Sequence, residues 1–259
     1  MKKYWLNILL LWVAVSCNLV TNKVSSSKGG FQPQAQDIMD TTQQDTNKCS
    51  ISDNPPKTEL ELHLEELGFV DIETVAADII VSLMYASDDN FTGKVMYQNL
   101  TRAYLHPEAA EALINAQAEL KRVRPDLSLK VYDAARPLSV QQTMWDHVKG
   151  TSNQIYVSNP ANGGGLHNYG LAVDVTLCYA ATGDTLSMGT HIDYFGRMAQ
   201  VRYEKECLEE NLLGQEAYEN RLLLRKVMTA AGYKVLPTEW WHFNFKTRAE
   251  AKAHYKLIK

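Results

Sequence analysis

Two short runs of this chain bring together side chains that can hold a metal ion. In Gly165-Leu-His167-Asn-Tyr-Gly170-Leu-Ala-Val-Asp174, a histidine stands in a glycine-flanked loop, and an aspartate follows within an apolar, β-branched stretch. A carboxylate in such a strand is costly unless it is paired or metal-bound. In Glu239-Trp-Trp-His242-Phe, a glutamate and a histidine stand three apart beside large aromatics able to exclude water. Two histidines and an aspartate can make a three-ligand zinc site, one ion per chain, that leaves the fourth position to water, as catalytic rather than structural zinc does. Zinc lowers the pKa of water to ≈7, and a free glutamate nearby can take that proton and later return it. Glu239 suits this task through its nearness to His242. The spacing is not the helical His-Glu-x-x-His motif. A metal-free account therefore stands beside it: His167 caps a turn, Asp174 pairs with Arg136, and Glu239 and His242 lie on the surface.

A third run, Tyr132-Asp-Ala-Ala-Arg136-Pro137, feeds an arginine out of a strand and stops it before a proline. Arginine is always charged and presents a rigid fork of donors, which suits a developing oxyanion. Read alone, the run is explained more simply by a structural Arg–carboxylate pair.

These residues need elements to carry them. The Thr58/Glu61 pair has capping-box spacing and Gly68 closes the segment, so residues 59–67 should be helical. Residues 79–84 read as a strand and 89–93 as a loop. Pro107 opens a helix to about 123, with Ala109, Leu113, Ala116 and Leu120 at helical spacing. Residues 127–132 read as a strand, Ser139 as the cap of a helix to about 148, and the glycines at 163–165 as a mobile loop. Residues 171–178 and 240–245 read as strands, and 218–231 as a helix with Gly232 just past its end. Thr247 and Glu250 can cap a last short helix. Helices and strands mix without a regular βαβ rhythm. The expected fold is α+β: a single domain with a mainly antiparallel sheet flanked by helices and a zinc site in a central cleft.

That domain is expected to occupy residues 58–259. Lys2 and Lys3 precede an apolar run over residues 4–15 broken only by Asn7, too short for the ~20 residues that span a bilayer. Residues 1–17 read as an export signal. Ala14-Val-Ser-Cys17 resembles a lipobox with alanine where leucine is usual, and acylation of Cys17 is preferred to plain cleavage. Residues 18–57, rich in Ser, Thr, Gln, Asn, Asp and Lys, read as a flexible tether. The chain is thus expected in the periplasm or cell envelope, lipid-anchored. Its net charge of −4 argues against a nucleic-acid partner, and its 45% apolar content against disorder. No protein partner is inferred. Four cysteines are too few for a disulfide scaffold, although Cys178 and Cys207 can pair in an oxidising compartment.

With these residues in place the chain resembles the D-alanyl-D-alanine dipeptidases, the group of zinc peptidases that includes the vancomycin-resistance dipeptidase. The similarity spans about residues 70–245. It rests on Tyr85-Ala-Ser-Asp-Asp-Asn-Phe-Thr-Gly93, Asp133-Ala-Ala-Arg136-Pro, His167-x6-Asp174, Met188-Gly-Thr-His-Ile-Asp193 and Glu239-Trp-Trp-His242. The resemblance implies that His167, Asp174 and His242 hold zinc, that Glu239 is the catalytic acid/base, and that Arg136 stabilises the transition state. It also implies that Asp193 binds the substrate ammonium, as a fixed anion should for a zwitterionic dipeptide. Family members often carry serines just before the first ligand that help bind substrate; here Gly165 and Leu166 stand there. The implied activity is hydrolysis of D-Ala-D-Ala to two D-Ala in bacterial cell-wall turnover. Two alternatives remain: a D,D- or L,D-carboxypeptidase acting on longer wall peptides, and a non-catalytic wall-binding lipoprotein.

Overall fold

Pro107 starts the longest helix because its fixed φ suits a first turn and its missing N–H is one that a helix start leaves unpaired. The computed structural model describes residues 55–259. The expected export signal over residues 1–17, with Cys17, and all but the end of the expected tether over residues 18–57 lie outside the described residues.

In chain order the elements are α1 (Glu59–Glu66), β1 (Val70–Asp71), α2 (Ile72–Val75), β2 (Ile80–Val81), β3 (Tyr104–Leu105), α3 (Pro107–Val123), β4 (Leu127–Asp133), α4 (Leu138–Val148), β5 (Ala172–Tyr179), α5 (Glu204–Glu209), α6 (Gln215–Ala230), β6 (Lys234–Leu236), β7 (Glu239–Asn244) and α7 (Arg248–His254). Short 3₁₀ turns join several of them. The main sheet has the order β2-β4-β5-β7-β6, and β1 pairs with β3 separately. Only β2 runs parallel to its neighbour; the other pairs in the main sheet are antiparallel. The expected α+β domain with a mainly antiparallel sheet is the architecture found. Among the described residues no helix is long and apolar enough to cross a membrane.

The central strand β5 decides where chemistry can sit. Side chains alternate across a strand. Val173, Val175 and Leu177 belong to the same fully buried core as Leu113, Ala116 and Leu120 of α3 and Leu224, Val227 and Met228 of α6. Asp174 points to the opposite face. The sheet thus has a greasy side sealed by α3 and α6 and a second side free to carry polar groups. Each fully buried leucine or valine stabilises this layer by about 1.5–3 kcal/mol relative to exposure. Both predicted capping boxes form, Thr58 with Glu61 and Thr247 with Glu250. Gly232 adopts φ +95° just past α6, a conformation that glycine reaches without penalty.

Several boundaries differ from expectation, each for a local reason. Of residues 79–84 only Ile80–Val81 pair, because the chain turns at Leu83 into a 3₁₀ turn, Met84–Ala86, that buries Tyr85. Ser139 does not cap α4; the helix begins two residues earlier than that cap implies, at Leu138, with Pro137 in the capping position. Helix α6 starts at Gln215, after Gly214. Strand β7 begins at Glu239, so the glutamate lies within the sheet. Cys178 and Cys207 are both buried and free, and no disulfide joins them. Cys178 faces Ser128 from β5, whereas Cys207 packs with Leu213 and Ala217 in a separate small cluster.

Leu120 is fully buried in the layer between α3 and the sheet. Leu120→Ala should lower unfolding free energy by about 2–5 kcal/mol in urea titrations. A loss below about 1 kcal/mol would mean that this layer is not the stabilising core.

Candidate active site

The sheet register places three ionisable residues in one row. Asp133 of β4 stands opposite Asp174 of β5, and Asp174 stands opposite His242 of β7. Directly opposed residues share a face and approach closely. A register shift in β4 between Val131 and Asp133 precedes the row. His167 joins it from the 3₁₀ turn Leu166–Tyr169, which leads into β5. Gly170 makes that entry possible: it sits at φ +63°, and a Cβ there would come within 2.4 Å of the Phe69 ring.

The donor atoms of His167, Asp174 and His242 converge. His167 Nε2 lies 3.1 Å from His242 Nδ1 and 3.3 Å from Asp174 Oδ1, and His242 Nδ1 lies 3.0 Å from the same oxygen. The outer ring nitrogens show which atoms carry hydrogen. His167 Nδ1 meets the Ala134 carbonyl at 2.7 Å, and His242 Nε2 meets Asn244 Oδ1 at 2.9 Å; both acceptors require N–H. In neutral imidazoles the inner nitrogens therefore present lone pairs toward each other and toward a carboxylate. Three such atoms repel unless a cation or added protons lie between them. Metal–donor bonds of ~2.0–2.1 Å about a tetrahedral centre put neighbouring donors ~3.3 Å apart. The chemistry and spacing of this set fit zinc, and the outer hydrogen bonds are those that orient metal-binding histidines.

Glu239 stands beside the triad, buried, with Oε2 3.9 Å from His242 Nδ1. Residues three apart on a regular strand face opposite ways. Here the β6–β7 ladder shifts register so that Leu236 pairs with Glu239, and this irregularity brings the glutamate round to the histidine's side. Burial, reinforced by Asp174 and Asp193, pushes the Glu239 carboxyl up to about 8, although His242 and Arg136 pull it down. Asp174 responds in the opposite direction. Burial alone would raise it, but His167 and His242 hold it well below the ordinary carboxylate range.

Arg136 is buried within the same network. Its Nε donates to Asp133 Oδ2 at 2.9 Å, its Nη2 donates to the same oxygen, and its Nη1 donates to Gln141 Oε1 at 3.0 Å. Asp174 Oδ2 lies farther off, 3.7 Å from Nη2. Burial works against the charge, but Asp133, with Tyr85 and Tyr97, holds the guanidinium pKa well above its ordinary value. Arg136 thus makes the structural pair, with Asp133 nearer than Asp174, and it also lines the cleft.

Asp193 lies in a turn at φ +63°, unusual for a residue with a side chain. The Tyr85 hydroxyl is shared between its two carboxylate oxygens, at 3.1 and 3.0 Å. Burial and then Asp174 push its carboxyl up to about 7, against Tyr85 and Arg136. Arg136, His167, Asp174, Asp193, Glu239 and His242 all line one cleft of about 390 Å³. Neither Glu239 nor His242 is a surface residue. Among the described residues the set His167, Asp174 and His242 is the one group of this kind able to hold a metal. His63 and His254 are exposed, His106 lies beside Glu108, and His191 binds the Ile192 carbonyl.

Residue types alone did not assign Asp133 or Gln141 to the site, or give Tyr85 its bond to Asp193. For Asp133 a signal existed: a buried arginine needs a carboxylate, and one stands three residues before it. Gln141 and Tyr85 reach the cleft through tertiary packing, which no local pattern encodes.

Comparison with known proteins gives a consistent picture. The peptidase M15 family model, described as D-Ala-D-Ala dipeptidase, matches residues 65–259. The D-alanyl-D-alanine dipeptidase of Escherichia coli strain K12 is 32% identical over 182 residues, covering 70% of this chain and 86% of that protein. The D-alanyl-D-alanine dipeptidase of Enterococcus faecalis is 24% identical over 196 residues, 69% of this chain and 91% of that protein. That of Synechocystis sp. is 29% identical over 178 residues, 57% of this chain and 71% of that protein.

The raised carboxyls of Glu239 and Asp193 make a pH prediction for metal-free protein. Their ordinary values are 4.5 and 3.8, so between those values and about 8 and 7 the fold holds protons that the unfolded chain has released. Stability contributed by these groups is full at low pH and falls as pH rises through this window. Glu239→Gln removes one of the two and should flatten the fall between about pH 5 and pH 8 in denaturant titrations of chelated protein. Equal slopes for both proteins would contradict the assigned environment.

Proposed function

The chain belongs to the peptidase M15 family of D-Ala-D-Ala dipeptidases, and from that premise we propose that it is a zinc-dependent enzyme splitting D-Ala-D-Ala into two D-Ala. The observation that carries this reading is the convergence of three lone-pair donors, 3.0–3.3 Å apart, with a desolvated glutamate beside them. His167, Asp174 and His242 would hold the ion, which when bound supplies a Lewis acid for the scissile carbonyl and a water of lowered pKa.

The protein's own groups do the rest. Glu239 takes the proton of the attacking water on its carboxylate and delivers it to the leaving amine nitrogen. Arg136, held by Asp133 and Gln141, presents fixed positive charge to the oxygen on which negative charge develops. No reorganisation is needed at that moment, because the guanidinium is already oriented by its buried partners. Asp193, braced by the Tyr85 hydroxyl, receives the substrate ammonium and sets which bond lies over the donor triad.

The same reading places the enzyme outside the cytoplasm, in turnover of wall-derived dipeptide, with export directed by residues 1–17 and a lipid on Cys17. Mass spectrometry of the mature N-terminus tests this: an acylated Cys17 supports the anchor, and an unmodified residue 17 or a later start removes it.

Purified protein is expected to carry about one zinc per chain and to lose activity on chelation. Glu239→Ala should retain the metal while kcat falls roughly 10²–10⁴-fold. Retained turnover would remove Glu239 from the acid/base role. Gly165 and Leu166, in place of the family's serines, motivate the carboxypeptidase alternative, so D-Ala-D-Ala should be compared with a wall pentapeptide. Faster cleavage of the pentapeptide would favour the carboxypeptidase. Protein that lacks zinc and binds wall material regardless of chelator would favour the non-catalytic module.

A further inference from the structure

A zwitterionic dipeptide carries its carboxylate only two atoms, N and Cα, beyond the scissile carbonyl carbon. The subsite for that carboxylate must therefore border the donor triad, and it needs positive charge and hydrogen-bond donors. Four Lys or Arg side chains line the cleft: Arg136, Lys234, Lys246 and Arg248. Arg136 is engaged by Asp133 and Gln141, and Lys246 Nζ is held 2.9 Å from Glu108 Oε2. Lys234 stands exposed on β6. Arg248 is tied to the rim next to the triad, because its Nη2 donates to the carbonyl of Gly164, three residues before His167.

The adjoining residue has a hydroxyl packed against it. Gly165 has φ −103°, open to any residue, so its backbone does not demand glycine. Its surroundings do. A Cβ at this position would lie 3.0 Å from Ser158 Oγ and 3.3 Å from Ser158 Cβ. The Ser158 hydroxyl thus takes the space that a side chain at 165 would need. Ser158 lines the same cleft. Its carbonyl accepts from Gln141 Nε2 at 2.9 Å, which ties it to the amide that also holds Arg136.

We propose that Ser158 and Arg248, flanking Gly164 and Gly165, form the subsite for the substrate's terminal carboxylate. The Ser158 hydroxyl would then supply a hydrogen-bond donor and Arg248 the charge. This rests on the dipeptidase reading and adds two specificity residues to it.

Binding can be measured without turnover in the Glu239→Ala protein, by calorimetry with D-Ala-D-Ala and with its C-terminal amide. Adding Ser158→Ala or Arg248→Met should raise Kd for the acid roughly ten-fold or more, as expected for losing a hydrogen bond to a charged group. Kd for the amide should stay within about two-fold. Arg248→Lys, which keeps the charge, should retain most of the affinity, and an unchanged Tm confirms that each variant is folded. Unchanged Kd for the acid, or equal weakening of acid and amide, would overturn the subsite. Turnover of D-Ala-D-Ala by the wild-type protein separately tests the parent reading. Carboxylate-selective binding without turnover would leave the subsite standing and remove the dipeptidase. Turnover with Kd insensitive to both variants would do the reverse, and no binding of either ligand would remove both.

Discussion

Two aspartates facing each other across adjacent strands are the constraint on which the site depends. Asp133 and Asp174 are opposed in the β4–β5 register, both buried, and like charges in that position repel. The fold offsets them from opposite sides. Arg136 takes Asp133 and lies within 3.7 Å of Asp174, while the two histidines converge on the other face of Asp174. Removing one partner would leave an uncompensated buried charge, which typically costs about 3–5 kcal/mol. The network is therefore held together by pairing that offsets the cost of desolvation, and that pairing also fixes the positions of Arg136 and His167.

The same burial separates two carboxyls that a solution chemist would expect to titrate together. Asp174, with both histidines against it, is held well below the ordinary carboxylate range, whereas Glu239 lies 3.9 Å from His242 and is raised by burial. In the metal-free protein one stays an anion and the other holds its proton to higher pH. Paired carboxyls pushed apart by environment are the usual physical basis for dividing acid/base from electrostatic work. Here the division follows from strand geometry. Asp174 lies in the regular part of β5, and Glu239 lies where the β6–β7 ladder breaks register.

Much of this was legible in residue types and spacing. An aspartate inside an apolar strand and a Glu/His pair beside two tryptophans announce buried polar chemistry, because such groups are too costly to bury without a purpose. Helix α3 and both capping boxes follow from local rules that tertiary contacts did not override. What could not be read were facts of register and turn geometry. Whether Asp174 faces His242 or lies one residue out of phase depends on strand pairing, and a one-residue slip would send it into the apolar layer under α3 and α6. Arg136 illustrates the same limit. Its sequence context permitted either a structural pair or a site residue, and only the packing of Asp133, Gln141 and Tyr85 around it shows that one guanidinium can be both.

Two glycines before and after His167 separate the ways in which a loop can serve a rigid site. Gly170 is demanded by its own backbone, at φ +63° and against the Phe69 ring, and it delivers the chain into β5 in the register that the triad needs. Gly165 is demanded by a neighbour, since its backbone is ordinary and Ser158 fills the adjacent space. A substitution at the first would distort the row of ionisable groups. One at the second would displace a hydroxyl at the rim and leave the row intact. The scaffold of the site is thus written in strand register, which tolerates little change. Its rim is written in side-chain packing, as where Ser158 fills the space beside Gly165.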